Sequence, residues 1–163
     1  MAGRLLVATP ILGDPNFFRT VILLLDHGDH GSAGVVLNRP VDERVVALIP
    51  SLEGSVDASA TISFGGPVEP NGVLGVTLQS GELVPADLDE IDIGRPLRIF
   101  MGYAGWSPGQ LEDELSEHAW WVIEGRPADV FGPEPEELWH RVVARQPDRR
   151  RLLANMPEDP RTN

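Results

Sequence analysis

Short apolar runs recur along the chain, and connections rich in glycine, proline and acidic residues separate them. Runs of this length, bounded by turn residues, are typical of β-strands. The clearest is VILLL at residues 21–25, which is continuous rather than alternating and therefore predicts a strand buried on both faces. We predict strands at residues 5–8, 21–25, 33–37, 61–64, 72–78, 97–101 and 120–123.

The same pattern predicts only short helical segments. Residues 16–20 are predicted to form one turn capped by Asp14, and residues 45–49 a short helix capped by Asp42. The pattern predicts another single helical turn at residues 127–131. A longer helix is predicted to open at Pro135, with paired apolar positions four apart and His140 on its more polar, surface side.

Residues 100–115, FMGYAGWSPGQLEDEL, hold the densest local information. We predict that residues 102–106 form a glycine-lined turn and that Ser107 then caps a helix, with Pro108 at its first position. Gln110 would complete a capping box. A strand, a turn and a capped helix can cradle an anion on free N–H groups. A tight corner plugged by Trp106 explains the same residues, because such corners are much commoner than binding sites.

A polar connection, DHGDHGS at residues 26–32, predicts a hairpin with a long loop. Its side chains Asp26, His27, Asp29 and His30 are metal-ligating types. A solvated hairpin tip explains them equally without a metal, because loops favour aspartate and glycine. We therefore predict no metal site.

The net charge of the protein limits the kinds of partner that it is expected to bind. The net charge of −12 opposes direct nucleic-acid binding and attachment to anionic membranes, both of which need cationic groups. The one basic run, RRR at residues 149–151, is expected to pair with acidic surface. It lies in residues 146–163, which prolines interrupt and which we predict to be a partly mobile tail on a single domain.

Composition and motifs bear on catalysis and location. The chain has no cysteine, and all 13 of its Lys and Arg residues are arginine, which excludes thiolate and Schiff-base chemistry. No Ser-hydrolase, zincin, dinucleotide or P-loop motif is present, so we assign no catalytic residue and no cofactor. The N-terminus lacks a signal-peptide core and no run is long enough to cross a bilayer, so we expect a cytoplasmic protein.

Taken together, four stretches resemble the AlgH/YqgE family of bacterial proteins. They are GRLLVATPILGDPNFFRTVILLLDH at residues 3–27, GVVLNRP at 34–40, FGGPV at 64–68 and FMGYAGWSPGQLEDEL at 100–115. The resemblance implies an α+β fold, with a single compact domain built on a mixed, strongly bent, partly barrel-like sheet flanked by short helices. It implies no catalytic residue, since the family has no agreed activity, and one branch is named as a regulator of alginate production.

Chemically unusual positions within those stretches form our candidate ligand site, and most lie at predicted strand ends or turns. They are Asp14, Arg19, Asn38, Arg39, Gly65, Gly66, Gly102, Tyr103, Trp106 and Gln110. We expect them to hold a small anionic ligand or a protein segment in a non-catalytic regulatory protein. The same residues could instead hold the corners of the fold. A transcriptional regulator, acting on DNA directly or through a partner, and a hydrolase-like enzyme are the alternatives.

Overall fold

The computed structural model describes residues 1–10, 17–54, 56, 60–91 and 94–155. Its strands are β1 Arg4–Ala8, β2 Val21–Gly28, β3 Gly31–Val36, β4 Pro40–Arg44, β5 Thr61–Phe64, β6 Val68–Gln79, β7 Glu82–Ala86, β8 Leu97–Trp106 and β9 Trp120–Glu124. Its α-helices are α1 Val45–Leu48, α2 Gln110–Ser116, α3 Pro127–Phe131 and α4 Leu138–Ala144. Short 3₁₀ segments cover Pro50–Leu52, Pro135–Glu137 and Arg149–Asn155.

All of these strands join one mixed sheet in the order β4-β5-β8-β3-β2-β1-β9, with β6 added to β8 and β7 added to β6. The β5–β8 pair is parallel and the other pairs are antiparallel. Among the described residues β4 and β9 do not pair with each other, so the sheet is not closed. A mixed sheet with short helices confirms the predicted α+β class.

Strand β8 is the element that both halves of the sheet share. Its first part pairs with β5 at Phe100 and Met101, and its last part pairs with β3 at Ala104, Gly105 and Trp106. Strand β6 follows the other edge of β8. One strand therefore carries the bend between two groups of strands.

The sheet is covered on both faces, as the continuous apolar run of β2 predicts. Successive residues of β1 alternate between two cores: Leu5 and Val7 pack with Trp139 of α4, whereas Leu6 and Ala8 pack with Trp120. These four side chains are almost fully buried. A third, smaller cluster lies at the β4–β5 end and includes the α1 and β8 side chains there.

The predicted turn at residues 102–106 is wrong, because these residues continue β8 to Trp106. Ala104, Gly105 and Trp106 pair with β3 and Tyr103 pairs with β6, and Gly102 takes the bend at φ 73°. Helix α2 consequently begins at Gln110 instead of Pro108, after Gly109 in the left-handed region. The Gln110 side chain still accepts a hydrogen bond from Ser107 N at 3.0 Å, which is half of the predicted capping box.

Three other local predictions differ from the structure. The long hairpin loop is a tight turn, because Gly28 pairs with Gly31, whose φ of 119° only glycine readily adopts. Residues 40–44 form β4, so Asp42 does not cap α1. Residues 17–19 form a turn with no helix.

The described part of the predicted tail packs against the core through Ala154 and Leu153. Arg149–Asn155 forms a 3₁₀ segment in which Ala154 is buried. Residues 156–163 lie outside the described part, so the predicted mobility of the tail stays a prediction. Within the described ranges, no helix combines the length and apolar character needed to cross a membrane.

Candidate functional site

A cavity of about 710 Å³ opens beside the start of β8, between α1 and the segment that follows α3. Small-molecule pockets commonly have volumes of roughly 300–1,000 Å³. Apolar side chains form most of its lining: Val45, Val56, Ala60, Pro96, Leu97, Ile99, Phe131, Pro133 and Pro135. The cationic group in that lining is Arg98.

Strand geometry and two hydrogen bonds fix the Arg98 side chain in this cavity. Arg98 Nη1 donates to Val130 O at the end of α3 (3.0 Å), and Nη2 donates to Ser63 Oγ on β5 (2.8 Å). Ser63 is fully buried. Arg98 Nε is also buried but has no hydrogen-bonding partner. The guanidinium is therefore held in place while its buried Nε–H has no acceptor.

Burial dominates the electrostatics of this group. It lowers the pKa of the Arg98 guanidinium from its ordinary value, and the negative charge of the exposed Glu136 opposes that shift. Arg98 hydrogen-bonds a carbonyl and a hydroxyl, and no carboxylate is within ion-pair distance of it among the described residues. A buried positive charge without a paired anion is unfavourable. The arrangement can bind a carboxylate or phosphate whose remaining body is apolar.

Three predicted site residues meet elsewhere, at a corner beside α4. The Asn38 side chain accepts from Val21 N at 3.0 Å and donates to Arg19 O at 2.9 Å. Arg39 Nη2 donates to Phe18 O at 3.2 Å. Arg19 adopts a positive φ of 52°, which is strained for a residue with a side chain. Asn38 therefore braces a strained turn.

The Arg19 side chain reaches across to α4. Its guanidinium lies 4.6 Å from the centre of the Trp139 ring, and Nη1 is 3.2 Å from His140 Nε2. Because arginine can only donate, His140 Nε2 is the acceptor in this contact, and Nδ1 lies 3.6 Å from Glu137 Oε2. His140, predicted to lie on the surface, keeps 41% of its side chain exposed while it makes this contact.

The predicted glycines serve close backbone approach between β5 and β8. A Cβ on Gly65 would lie 2.3 Å from Gly102 O, and a Cβ on Gly66 would lie 2.2 Å from the Tyr103 carbonyl carbon. Gly65 N donates to Met101 O at 2.7 Å and so already has a partner. Tyr103 packs against the first core.

Trp106 and Gln110 lie on the other face of the sheet. Trp106 is 6% exposed and packs edge-to-face with Trp120 at 6.2 Å between ring centres. Its indole N–H points to Glu114 Oε1, which Trp120 also contacts. Gln110 bonds Ser107, as described above. Asp14, the remaining predicted residue, lies outside the described part of the chain.

The hairpin histidines take local partners. His30 Nε2 lies 2.8 Å from Asp26 Oδ2, and this hydrogen bond raises the pKa of His30 and lowers that of Asp26. His27 contacts Ser32 at 2.6 Å and Glu112 at 3.3 Å. Across the described residues, no three acidic or histidine side chains are grouped as metal ligands.

The structure thus joins Arg19, Asn38 and Arg39 at one corner and the glycines at the adjoining one, whereas Trp106 and Gln110 lie apart. Sequence reasoning missed Arg98 and its partner Ser63. The available signal was the single charge inside the apolar LRIFM run, which places a cation on a half-buried strand.

Comparison with known proteins gives consistent matches. The profile of the family described as AlgH-like matches residues 5–150. A UPF0301 protein of Streptomyces coelicolor is 44% identical and covers 100% of this chain and 95% of its own length.

Two solved structures share the fold. A crystal structure of a Corynebacterium diphtheriae protein has a TM-score of 0.85 at 30% identity, covering 94% of this chain and 91% of that one. The solution structure of the AlgH protein from Pseudomonas aeruginosa has a TM-score of 0.71 at 31% identity, covering 96% and 94%.

Proposed function

The chain belongs to the AlgH-like family, and we propose that it is a non-catalytic binding protein for a small anionic ligand. The ligand would combine a carboxylate or phosphate with an apolar body and would occupy the cavity around Arg98. The main support for this proposal is the buried Arg98 Nε, which has no hydrogen-bonding partner. In this proposal ligand binding serves a regulatory role in the cytoplasm.

The charge and the burial of Arg98 support a ligand that carries an anionic group. Val130 O and Ser63 Oγ orient Arg98 but neither neutralises it. A bound anion would supply the missing charge and accept from Nε, and charge-assisted bonds of this kind are stronger than neutral ones. The apolar walls then select a ligand body that gains from leaving water.

The lining supports binding over catalysis. None of its described residues is a histidine, aspartate, glutamate or lysine, so this described part of the lining offers no ordinary general acid or base. The corner residues Arg19, Asn38 and Arg39 stay candidate ligand contacts. We place the anion at Arg98 because its buried Nε has no hydrogen-bonding partner and the residue lines a cavity of ligand size.

A ligand screen with matched variants tests the proposal. Thermal shift against carboxylate- and phosphate-bearing metabolites comes first, since a ligand at 100 times its Kd stabilises a fold by about 2.7 kcal/mol. Calorimetry then compares Arg98→Met, which removes the charge, with Arg4→Gln, an exposed arginine outside this cavity. We expect Arg98→Met to abolish binding and Arg4→Gln to preserve it.

A third variant tests whether the negative charge of Glu136 weakens anion binding at Arg98. Glu136→Gln removes the carboxylate whose field acts on Arg98, so we expect anion binding to tighten several-fold. An empty screen, or a ligand whose Kd is the same for the wild-type protein and Arg98→Met, would reject the Arg98 site.

A further inference from the structure

Arg98 is the one charged residue in the described lining of the cavity, and this limits the charge of a ligand that binds there. Glu136, which is outside that lining, sets its negative charge against an incoming anion. A phosphate monoester carries a charge of about −1.5 to −2 at neutral pH, whereas a carboxylate carries a single negative charge. One guanidinium neutralises a carboxylate but leaves a phosphate with excess negative charge in a partly buried site, which is unfavourable.

The backbone around the cavity is poor in the N–H donors that phosphate sites use. Prolines have no backbone N–H, and three of them lie in the lining: Pro96, Pro133 and Pro135. Val45 N already donates to Ala60 O at 2.9 Å, and Gly132 N donates to Ala128 O at 2.9 Å. Five of the twelve described lining residues therefore have no N–H available for a ligand. A carboxylate has two oxygens to satisfy and a phosphate monoester has three, so the carboxylate needs fewer donors.

The remaining side chains of the lining limit the body of the ligand. Thr61 is the one uncharged polar side chain in the described lining, and this residue is exposed. A ligand body with several hydroxyl or amino groups would therefore bury polar groups without partners. An α-ammonium group would also lie close to the Arg98 guanidinium, and like charges repel. The lining thus disfavours sugar acids and α-amino acids, and it favours an unsubstituted aliphatic chain.

We propose that the cavity binds a straight-chain aliphatic monocarboxylate, the chemical class of the fatty acids. This ligand class depends on the binding function proposed above, which it narrows from apolar anions in general. The carboxylate accepts a hydrogen bond from Arg98 Nε, the buried donor that has no partner. The chain lies along the apolar walls, with Val45 on one side and Phe131 on the other.

Two series of ligands, measured by calorimetry on the wild-type protein, test the ligand class. In the first series the head group changes on one chain length: octanoate, octyl phosphate and octan-1-ol. We expect octanoate to bind at least tenfold more tightly than either of the others. In the second series the chain lengthens from butanoate through hexanoate and octanoate to decanoate. The Kd should fall by about fourfold for each CH₂ that becomes buried, and it should level off once the chain outgrows the cavity.

A pair of matched variants tests where the chain lies. Ala60→Leu adds apolar volume inside the lining, and Ala47→Leu makes the same change at an exposed position of α1 outside it. We expect Ala60→Leu to raise the Kd of decanoate at least tenfold more than that of butanoate, because the longer chain needs the volume that leucine fills. Ala47→Leu should change neither Kd. An equal effect of Ala60→Leu on the two acids would contradict the proposed position of the chain.

Different results would reject the ligand class and the Arg98 site itself. Octyl phosphate that binds as tightly as octanoate, and that loses affinity in Arg98→Met, overturns the carboxylate class and keeps the anion site. No binding of octanoate, or a Kd that does not change with chain length, also overturns the class, and the metabolite screen described above then decides on the site. The same Kd of octanoate for wild type and Arg98→Met rejects both. The two wild-type series decide the class even if Ala60→Leu misfolds.

Discussion

Asn38 provides a direct test of whether a corner residue holds the fold. Its side chain joins two strands' ends by accepting from Val21 N and donating to Arg19 O. Asn38→Ala removes both bonds at once. Asn38→Asp keeps the acceptor for Val21 and loses the donor for Arg19. The pair of variants therefore separates the two contributions.

The expected loss in the free energy of unfolding follows from the burial of the groups that Asn38 bonds. Val21 is fully buried, so its N–H cannot turn to water, and an unsatisfied buried donor costs about 1–3 kcal/mol. The bond to Arg19 O is partly buried and contributes about 0.5–1.5 kcal/mol. Asn38→Ala should then destabilise the protein by about 2–4 kcal/mol, and Asn38→Asp by about 1 kcal/mol or slightly more.

Urea denaturation followed by far-UV circular dichroism measures these differences. Asn71→Ala is the matched control, because Asn71 is exposed on β6 and should change stability by less than about 0.5 kcal/mol. The reasoning is refuted if the free energy of unfolding of Asn38→Ala is as close to the wild-type value as that of Asn71→Ala. That outcome would leave Asn38 free to serve a ligand.

Three further perturbations have definite expected outcomes. Gly66→Ala places a Cβ against β8 and should lower the free energy of unfolding, measured in urea, by more than about 2 kcal/mol, since backbone must move. Arg145→Met strands the nearly buried Asp129 carboxylate and should cost about 3 kcal/mol in the same assay, with unchanged stability as the contrary result. Hydrogen bonds from Arg150 lower the pKa of Asp148 to about 2, so its stabilisation is complete above the unfolded value of 3.8 and is lost as pH falls through about 2. Urea midpoints of wild type and Asp148→Asn should therefore converge between pH 4 and pH 2, and a constant gap would contradict this.

Strand positions were predictable because their signal is local. The run at residues 21–25 is apolar throughout, and β2 is indeed buried on both faces. The end of β8 was not predictable in this way. Gly105 resembles a turn residue, whereas Ala33, the β3 residue with which it pairs, lies about 70 positions earlier.

The site depended on contacts that no local pattern encodes. Arg98 meets Ser63 and Val130, which are 35 and 32 residues away, so its burial and its free Nε emerge only in the folded chain. The glycines at residues 65 and 66 were singled out as backbone donors for an anion. Their spacing against β8 shows instead how closely two backbones approach.

The pairing of β1 with β9 also limits when this part of the sheet can form during protein synthesis. Strand β1 is made first, yet its second neighbour is residues 120–124, which register against Arg4–Ala8. Translation at 5–20 residues per second separates the two strands by roughly 6–23 s. Throughout that interval the β9-facing edge of β1 has no native strand partner, so this part of the sheet can be completed only after residue 124 has been made.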